Sequence, residues 1–205
     1  MFITLEGPEG SGKTSQIPRL AEALRAAGYE VITTREPGGT HIGDQIRTVL
    51  FDLENKAMQP RSEILLFQAS RAQLVEEVIR PALAEGKVVL CDRYADSTMA
   101  YQGYGHGVDL GQLAEIVRFA TGGLKPDLTL FLDINVEAGL KRRDAGGDWN
   151  RLDDYERAFH ERVYTGYREL MTAEPARWER VDAARSPDEI AMDLERIALA
   201  RLATR

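Results

Sequence analysis

The sequence predicts an α/β fold, a five-stranded parallel sheet flanked by helices on both faces. Three observations carry the prediction. Short β-rich runs alternate with helical patterns along the chain, and right-handed crossovers turn that alternation into a parallel sheet covered above and below. The residues richest in chemistry fall directly after the β-rich runs, outside the carboxyl ends of the strands, where such sheets bind ligands. The length of 205 residues and a composition 43% hydrophobic and 29% charged suit one ordinary globular core and are short for two.

Taken in order, Phe2–Glu6 is an apolar run ending in glycines, followed by a helical pattern through Ile17, Leu20, Ala21 and Leu24 that stops at Gly28. Tyr29–Thr34 (YEVITT) reads as the second strand. Helical patterns at about 41–52 and 61–85 lead to the third, Val88–Asp92 (VVLCD), and one at 109–121 leads to the fourth, Asp127–Leu132 (DLTLFL). Patterns at 135–143 and 153–173 precede the fifth, Trp178–Asp182 (WERVD), and a last helix covers 187–203. Between two of these helices, KRRDAGGDWNR (141–151) is rich in glycine and charge and reads as a mobile loop. The chain therefore reads as a single domain over 1–205 with a lid at approximately 141–152.

The formal net charge of −7 argues against a nucleic acid backbone as the main partner, so basic residues that bind anions should be clustered locally. Cys91 is the only cysteine, which leaves no intramolecular disulfide framework and no cysteine-based zinc site; beside Asp92 it is most simply a small buried hydrophobe. His41, His106 and His160 make no metal-ligand spacing. The opening MFITLEG lacks a secretory pattern, and no uninterrupted apolar stretch reaches membrane-spanning length. No membrane partner is expected, and the cytoplasm is the expected compartment.

Residues 7–14 read GPEGSGKT, and Gly7-x-x-x-x-Gly12-Lys13-Thr14 satisfies the Walker A pattern between a predicted strand and a predicted helix. That context places the sheet in the P-loop NTPase class. Gly7, Pro8, Glu9, Gly10, Ser11, Gly12, Lys13 and Thr14 form the ATP-binding loop, in which glycines let backbone N–H groups turn onto phosphate oxygens at a helix N-terminus. Lys13 would bridge the β- and γ-phosphates and the Thr14 hydroxyl would ligate Mg²⁺. Asp92 ends an apolar strand, as a second acid of the Mg²⁺ shell does, or else it caps the next helix. Glu9 is the odd residue, a carboxylate in a loop built for polyanions.

A P-loop leaves a kinase, a guanine-nucleotide switch or an ATPase motor. Asn55-Lys56-Ala57-Met58 begins an N-K-x-D run but lacks its aspartate, and Asp144-Ala145-Gly146-Gly147 fits D-x-x-G only within the charged loop. A motor would normally be larger or carry an oligomerising module. A kinase needs a second anion site and converging cations, because phosphoryl transfer is catalysed by positioning and charge neutralisation. Arg35, in REPGGT after the second strand, and Arg93, after the third, are placed to hold an acceptor phosphate, and Gly38 and Gly39 allow close backbone approach. Arg142, Arg143 and Arg151 lie in or beside the lid; each would supply charge to the transition state or stand as a solvated surface residue.

In the helix at 61–85, Ile64, Phe67, Arg71, Leu74 and Val78 share one face, so Arg71 interrupts an apolar stripe. Two solutions stay open. Phe67 and Arg71 form the wall and the donors of a pocket for a planar heteroaromatic base, or Phe67 packs in the core and Arg71 snorkels to solvent.

Together, EGPEGSGKT (6–14), TREPGGT (34–40), LFQASRAQL (66–74), DRYADSTMAYQG (92–103), PDLTLFLD (126–133) and RLD (151–153) followed by FHERVYTGY (159–167) resemble bacterial thymidylate kinases, nucleoside monophosphate kinases that transfer the γ-phosphate of ATP to dTMP. The resemblance covers nearly the whole chain. It implies ATP and dTMP as partners, Mg²⁺ as cofactor, Thr14 and Asp92 at the metal, and a role in DNA precursor synthesis. It implies that Phe67 stacks on thymine, that Arg71 hydrogen-bonds a base carbonyl, and that Thr98 and Gln102 help read the thymine edge. Tyr101 would lie beside the sugar and disfavour a 2′-hydroxyl, Arg35 and Arg93 would hold the dTMP phosphate, and Glu9 would approach the 3′-hydroxyl. Lys13 and Arg93 would act in catalysis with one lid arginine, Arg151 the first choice and Arg143 the second, in a lid where Asp144, Gly146 and Asp148 stand in place of further basic character. A homodimer is expected because the family is dimeric. The alternatives are a kinase for another nucleotide or nucleoside, or a non-catalytic nucleotide-binding regulator.

Overall fold

The structure, a computed structural model, describes residues 1–146, 150–153 and 155–204. Its strands β1 (Phe2–Glu6), β2 (Val31–Arg35), β3 (Val88–Asp92), β4 (Leu128–Asp133) and β5 (Trp178–Asp182) form one parallel sheet in the order β2-β3-β1-β4-β5. β1 lies in the centre and is buried at every position, whereas the edge strand β2 alternates between covered and open residues. Helices α1 (Lys13–Ala26) and α9 (Pro187–Ala203) pack together on one face, over Ile3, Leu5, Leu90 and Leu130. The opposite face buries Phe2, Val89 and Cys91 against Leu74, Val75 and Ile79, and Phe131 against Tyr101, Phe159 and Tyr167.

Several boundaries moved for local reasons. Tyr29 is not the start of β2, because its N–H closes the end of α1 on Leu24 O around Gly28, whose φ is 94°. The long helix expected at 61–85 is α3 (Pro60–Leu74), a π-helical stretch over Val75–Ile79 and α4 (Arg80–Ala84). The Arg80 N–H reaches back to Val75 O just before Pro81, which has no N–H to give. A further helical segment had not been expected: α5 (Ala95–Thr98) runs into a second π-helical stretch, Met99–Gly105, ahead of α6 (Leu110–Thr121).

The expected lid loop is partly helix. α2 (His41–Phe51) ends one residue short of its pattern, whereas α7 (Val136–Ala145) runs two residues past the end of its own and carries Lys141, Arg142 and Arg143 in its last turns. α8 (Arg157–Ala173) starts four residues later than the pattern at 153. Gly147, Asp148 and Trp149, in the middle of the expected lid, lie outside the described residues, as do Asp154 and Arg205.

Candidate active site

A cavity of about 460 Å³ opens at the carboxyl ends of β1, β2 and β3, within the range of small-molecule sites. Its floor is the 7–14 loop, one wall comes from α2, α3 and the 92–105 segment, and Arg142, Arg143 and Gly146 of α7's end and Asn150 and Leu152 face it from the lid side.

The loop leaves β1 and turns into α1 through Gly7, Gly10 and Gly12, at φ 148°, 67° and 92°. Gly10 and Gly139 are both required: a Cβ on Gly10 would lie 1.9 Å from Gly139 O of α7, and a Cβ on Gly139 would lie 2.3 Å from Glu9 O. Backbone therefore touches backbone, and the loop rests on the helix that carries the lid arginines. Lys13 is 6% exposed and donates to Gly7 O (3.0 Å), Pro8 O (2.9 Å) and Ser11 Oγ (2.9 Å). All three ammonium protons are thus held on the loop that a phosphate would share. Burial, helped by Arg93 and opposed by Glu9, Asp92 and Glu6, brings Lys13 down to about 8.

At the end of β3, Asp92 Oδ2 accepts from Thr14 Oγ1 at 2.7 Å, so the two expected metal residues meet at the mouth of the loop. Both offer oxygen, the donor type Mg²⁺ takes, and a site with so few protein ligands fits a cation that keeps waters and substrate phosphates in its shell. Arg93 adopts φ 66°, uncommon for a residue with a side chain. It donates to Gly7 O (3.0 Å), Ser97 Oγ (3.2 Å), Tyr167 OH (3.1 Å), Tyr101 OH (3.1 Å) and Glu9 Oε1 (2.8 Å). Glu9 Oε1 also accepts from Tyr101 OH at 2.6 Å. Burial pushes the Glu9 carboxyl up, but Arg93, Lys13 and the Tyr101 hydroxyl outweigh it and hold it at about 2. Behind Arg93, fully buried Glu6 accepts from Tyr94 N, Ser97 Oγ and Tyr167 OH. Burial, with the Asp96 charge, raises Glu6 to about 7.

On the other wall Phe67 is half-buried and lines the cavity with Thr98, Tyr101 and Gln102. Arg71 does not snorkel: it is 1% exposed. Its Nε donates to Glu36 Oε2 (2.8 Å), its Nη1 to Gln68 Oε1 (2.8 Å) and Thr98 Oγ1 (2.9 Å), and its Nη2 to Tyr94 O (3.0 Å) while lying 2.6 Å from Glu36 Oε2. Burial opposes its charge, yet Glu36 and the other groups around it raise its proton affinity further. Arg71 borders the cavity with its donors already engaged, so an acceptor on any ligand there would have to take over one of these contacts.

Arg35 lines the cavity, half open, 3.2 Å from Asp44. Arg47, not anticipated from the sequence, joins it: the side chain donates to Pro37 O (2.9 Å) and lies over the Phe51 ring at 4.3 Å. A signal for Arg47 existed. Gly43, Arg47 and Leu50 share one face of α2, so a cation interrupts the buried stripe as Arg71 does in α3. Glu36, Gln68 and Glu6, which hold the arginines in place, were also missed.

The two lid candidates separate. Arg143 lines the cavity and grips Asp153 through Nε (3.0 and 3.1 Å) and Nη2 (3.0 Å). Arg142 donates to Ala183 O (2.7 Å) in the loop after β5. Arg151, the first choice, is not brought to the cavity lining: it is 5% exposed and donates to Glu63 Oε2 (2.5 Å), Tyr155 OH (2.9 Å) and Leu50 O (2.8 Å). A long cation next to a buried carboxylate is held by it, so Arg143 and not Arg151 borders the cavity in this structure.

Comparison with known proteins identifies the family. A family profile described as thymidylate kinase matches residues 5–194. The chain is 51% identical over 216 residues to a thymidylate kinase of Roseiflexus sp. (strain RS-1), covering 100% of this chain and 96% of that protein. It is 50% identical over 194 residues to one of Deinococcus radiodurans, covering 95% and 94%. The crystal structure of thymidylate kinase from Ehrlichia chaffeensis superposes with a TM-score of 0.80 at 30% identity, over 97% of this chain and 98% of that one. With a match along nearly its whole length and half its residues shared, the chain belongs to the thymidylate kinase family.

Proposed function

We infer that the chain transfers the γ-phosphate of ATP to dTMP, giving ADP and dTDP, as a single domain over 1–205 with Mg²⁺ as cofactor. One observation carries the reading. Walker A residues and an arginine-lined acceptor wall share one cavity, and the Glu9–Arg93 ion pair joins them.

ATP lies along the 7–14 loop, with Lys13 exchanging its loop carbonyls for β- and γ-phosphate oxygens. Thr14 and Asp92 hold the Mg²⁺, which supplies charge neutralisation on the phosphates. Arg93, Arg35 and Arg47 hold the acceptor phosphate in line, and Arg143 covers the transferred group from the lid. Phe67 stacks on the base, Arg71, Thr98 and Gln102 meet its edge, Tyr101 closes the space beside C2′, and Glu9 accepts from the 3′-hydroxyl. No helix among the described residues is long and apolar enough to cross a membrane, and we assign the reaction to the cytoplasm, where both nucleotides are drawn from solution.

The test mixes protein, Mg·ATP and a panel of nucleoside monophosphates and follows ADP release. Turnover with dTMP far above that with AMP, CMP or GMP supports the reading; ATP binding without acceptor-dependent ADP release leaves a regulator. We further propose a homodimer. α2 packs on α3 and α3 on α6, and Phe119 (87%), Leu65 (61%), Ile42 (50%) and Val49 (44%) are exposed on these helices, an apolar surface suited to a second copy. Sedimentation should give twice the chain mass, and Phe119→Glu should return the monomer.

A further inference from the structure

Glu63 lies in the first turn of α3, 1% exposed, and both of its oxygens are occupied. Oε2 takes Arg151 at 2.5 Å and Tyr155 OH at 3.1 Å, from the segment after the lid. Oε1 takes Gln102 Nε2 at 2.7 Å and lies 3.3 Å from His106 Nε2. Burial disfavours the carboxylate, but His106, Arg151 and Gln102 hold it at about 2, so it accepts at any working pH. The Gln102 amide is symmetric in shape and asymmetric in chemistry. With its nitrogen committed to Glu63, its oxygen is left for the cavity that Gln102 lines, and that oxygen has no hydrogen-bond partner among the described residues.

We propose that Glu63 is a positioning residue that sets the base specificity of the acceptor site by fixing the Gln102 amide with its carbonyl oxygen toward the base. The proposal rests on the dTMP reading above. Thymine and uracil present N3–H, a donor, to that oxygen; cytosine presents a lone pair at N3 and is repelled. Arg151 serves this arrangement as the cation that anchors the carboxylate from its far side. Glu63→Gln makes the logic visible. The Arg151 cation claims the new amide's oxygen, its NH₂ turns to Gln102, and Gln102 rotates to offer its own oxygen inward and its NH₂ to the cavity, which now suits cytosine.

The experiment measures kcat/KM for dTMP and dCMP with Mg·ATP in the wild type, Glu63→Gln, Glu63→Asp and Arg151→Met, with thermal unfolding of each. Losses common to both substrates cancel in the dCMP-to-dTMP ratio. That ratio should rise about tenfold or more in Glu63→Gln, the discrimination one polar contact carries, chiefly through a higher KM for dTMP. Glu63→Asp keeps the charge and the ion pair but withdraws the carboxylate from Gln102, so it should stay folded and shift the ratio part of the way. Arg151→Met removes the anchor but not the carboxylate, so it should lower stability and move the ratio far less than Glu63→Gln does. A wild type indifferent to dTMP overturns the dTMP reading itself. With the wild type selective, folded Glu63 variants that keep its ratio overturn the proposal, and so does a shift in Arg151→Met as large as in Glu63→Gln.

Discussion

Replacing Glu9 by Gln keeps the shape and the ability to accept from Tyr101 while removing the charge that faces Arg93 at 2.8 Å. The side chain is 15% exposed, so little of that pairing is screened by solvent. The carboxyl falls from an ordinary 4.5 to about 2 in the folded protein. At ~1.4 kcal/mol per tenfold change in proton affinity, the ionised form contributes about 3 kcal/mol to folding at neutral pH. Because the folded value lies below the unfolded one, this contribution is whole above pH 4.5, shrinks as the pH falls, and is gone below about 2. Urea unfolding of the two proteins should therefore differ by about 3 kcal/mol at pH 7 and by roughly 2 kcal/mol at pH 3.5. In kinetics, Arg93 loses its anchor on the acceptor side, so KM for dTMP should rise about tenfold, with ATP affinity within about twofold of wild type. A stability gap independent of pH would refute the ion-pair reasoning, and equal losses in dTMP and ATP binding would refute the assignment of Glu9 to the acceptor.

Arg143→Ala should lower kcat by about 10³-fold or more, and because it strips buried Asp153 of its cation the thermal midpoint should fall as well. Arg151→Ala should strip buried Glu63 of its cation and cost about 3–5 kcal/mol in urea unfolding while largely keeping kcat in the folded protein; a kcat loss confined to Arg151→Ala restores Arg151 as the transition-state arginine. Lys13, held at about 8, loses its proton above that pH in the empty site, so ATP affinity should weaken as the pH rises past 8. Calorimetry in that range should show proton uptake on ATP binding, and its absence would place Lys13 away from the phosphates. Gly10→Ala drives a Cβ into Gly139 O at φ 67°, and we expect a loss of about 2 kcal/mol or more together with weakened ATP binding, read by thermal unfolding and nucleotide titration.

What was legible in the sequence is what is local in the chain. The 7–14 loop declares itself because strand, turn and helix N-terminus are contiguous, and Thr14, in the first turn of α1, meets Asp92 because the loop that follows β1 lies beside the carboxyl end of neighbouring β3. Arg71 was visible as a charge in an apolar stripe, but its partner Glu36 stands 35 positions away at the end of another strand. Neither a solvent-facing nor an unengaged arginine survives that pairing. The pairing of Arg151 was hidden for the same reason, since its carboxylate is 88 positions distant. The helical segment through Met99–Gly105 was missed on different grounds. Ala100, Tyr101, Gln102, Gly103 and Gly105 are all buried, so the segment has no polar face for a 3.6-residue period to reveal, and its turns are wider than that period in any case.

The carboxylate in the phosphate loop makes sense once the charges of the empty cavity are considered together. Lys13, Arg35, Arg47, Arg93, Arg142 and Arg143 all border one space, and cations so close repel one another and drift apart unless they are held. Glu9 holds Arg93, which is also bonded to Gly7 O of the same loop. Loop, arginine and carboxylate are therefore one unit before any substrate arrives. On the proposed reading a phosphate entering this site finds Arg93 already held in place while Lys13 exchanges its loop acceptors for phosphate oxygens, so part of the reorganisation has been completed during folding. On that reading Glu9 is a negative charge serving anion binding: it keeps Arg93 fixed at the junction of donor and acceptor, where a neutral residue would leave it to wander.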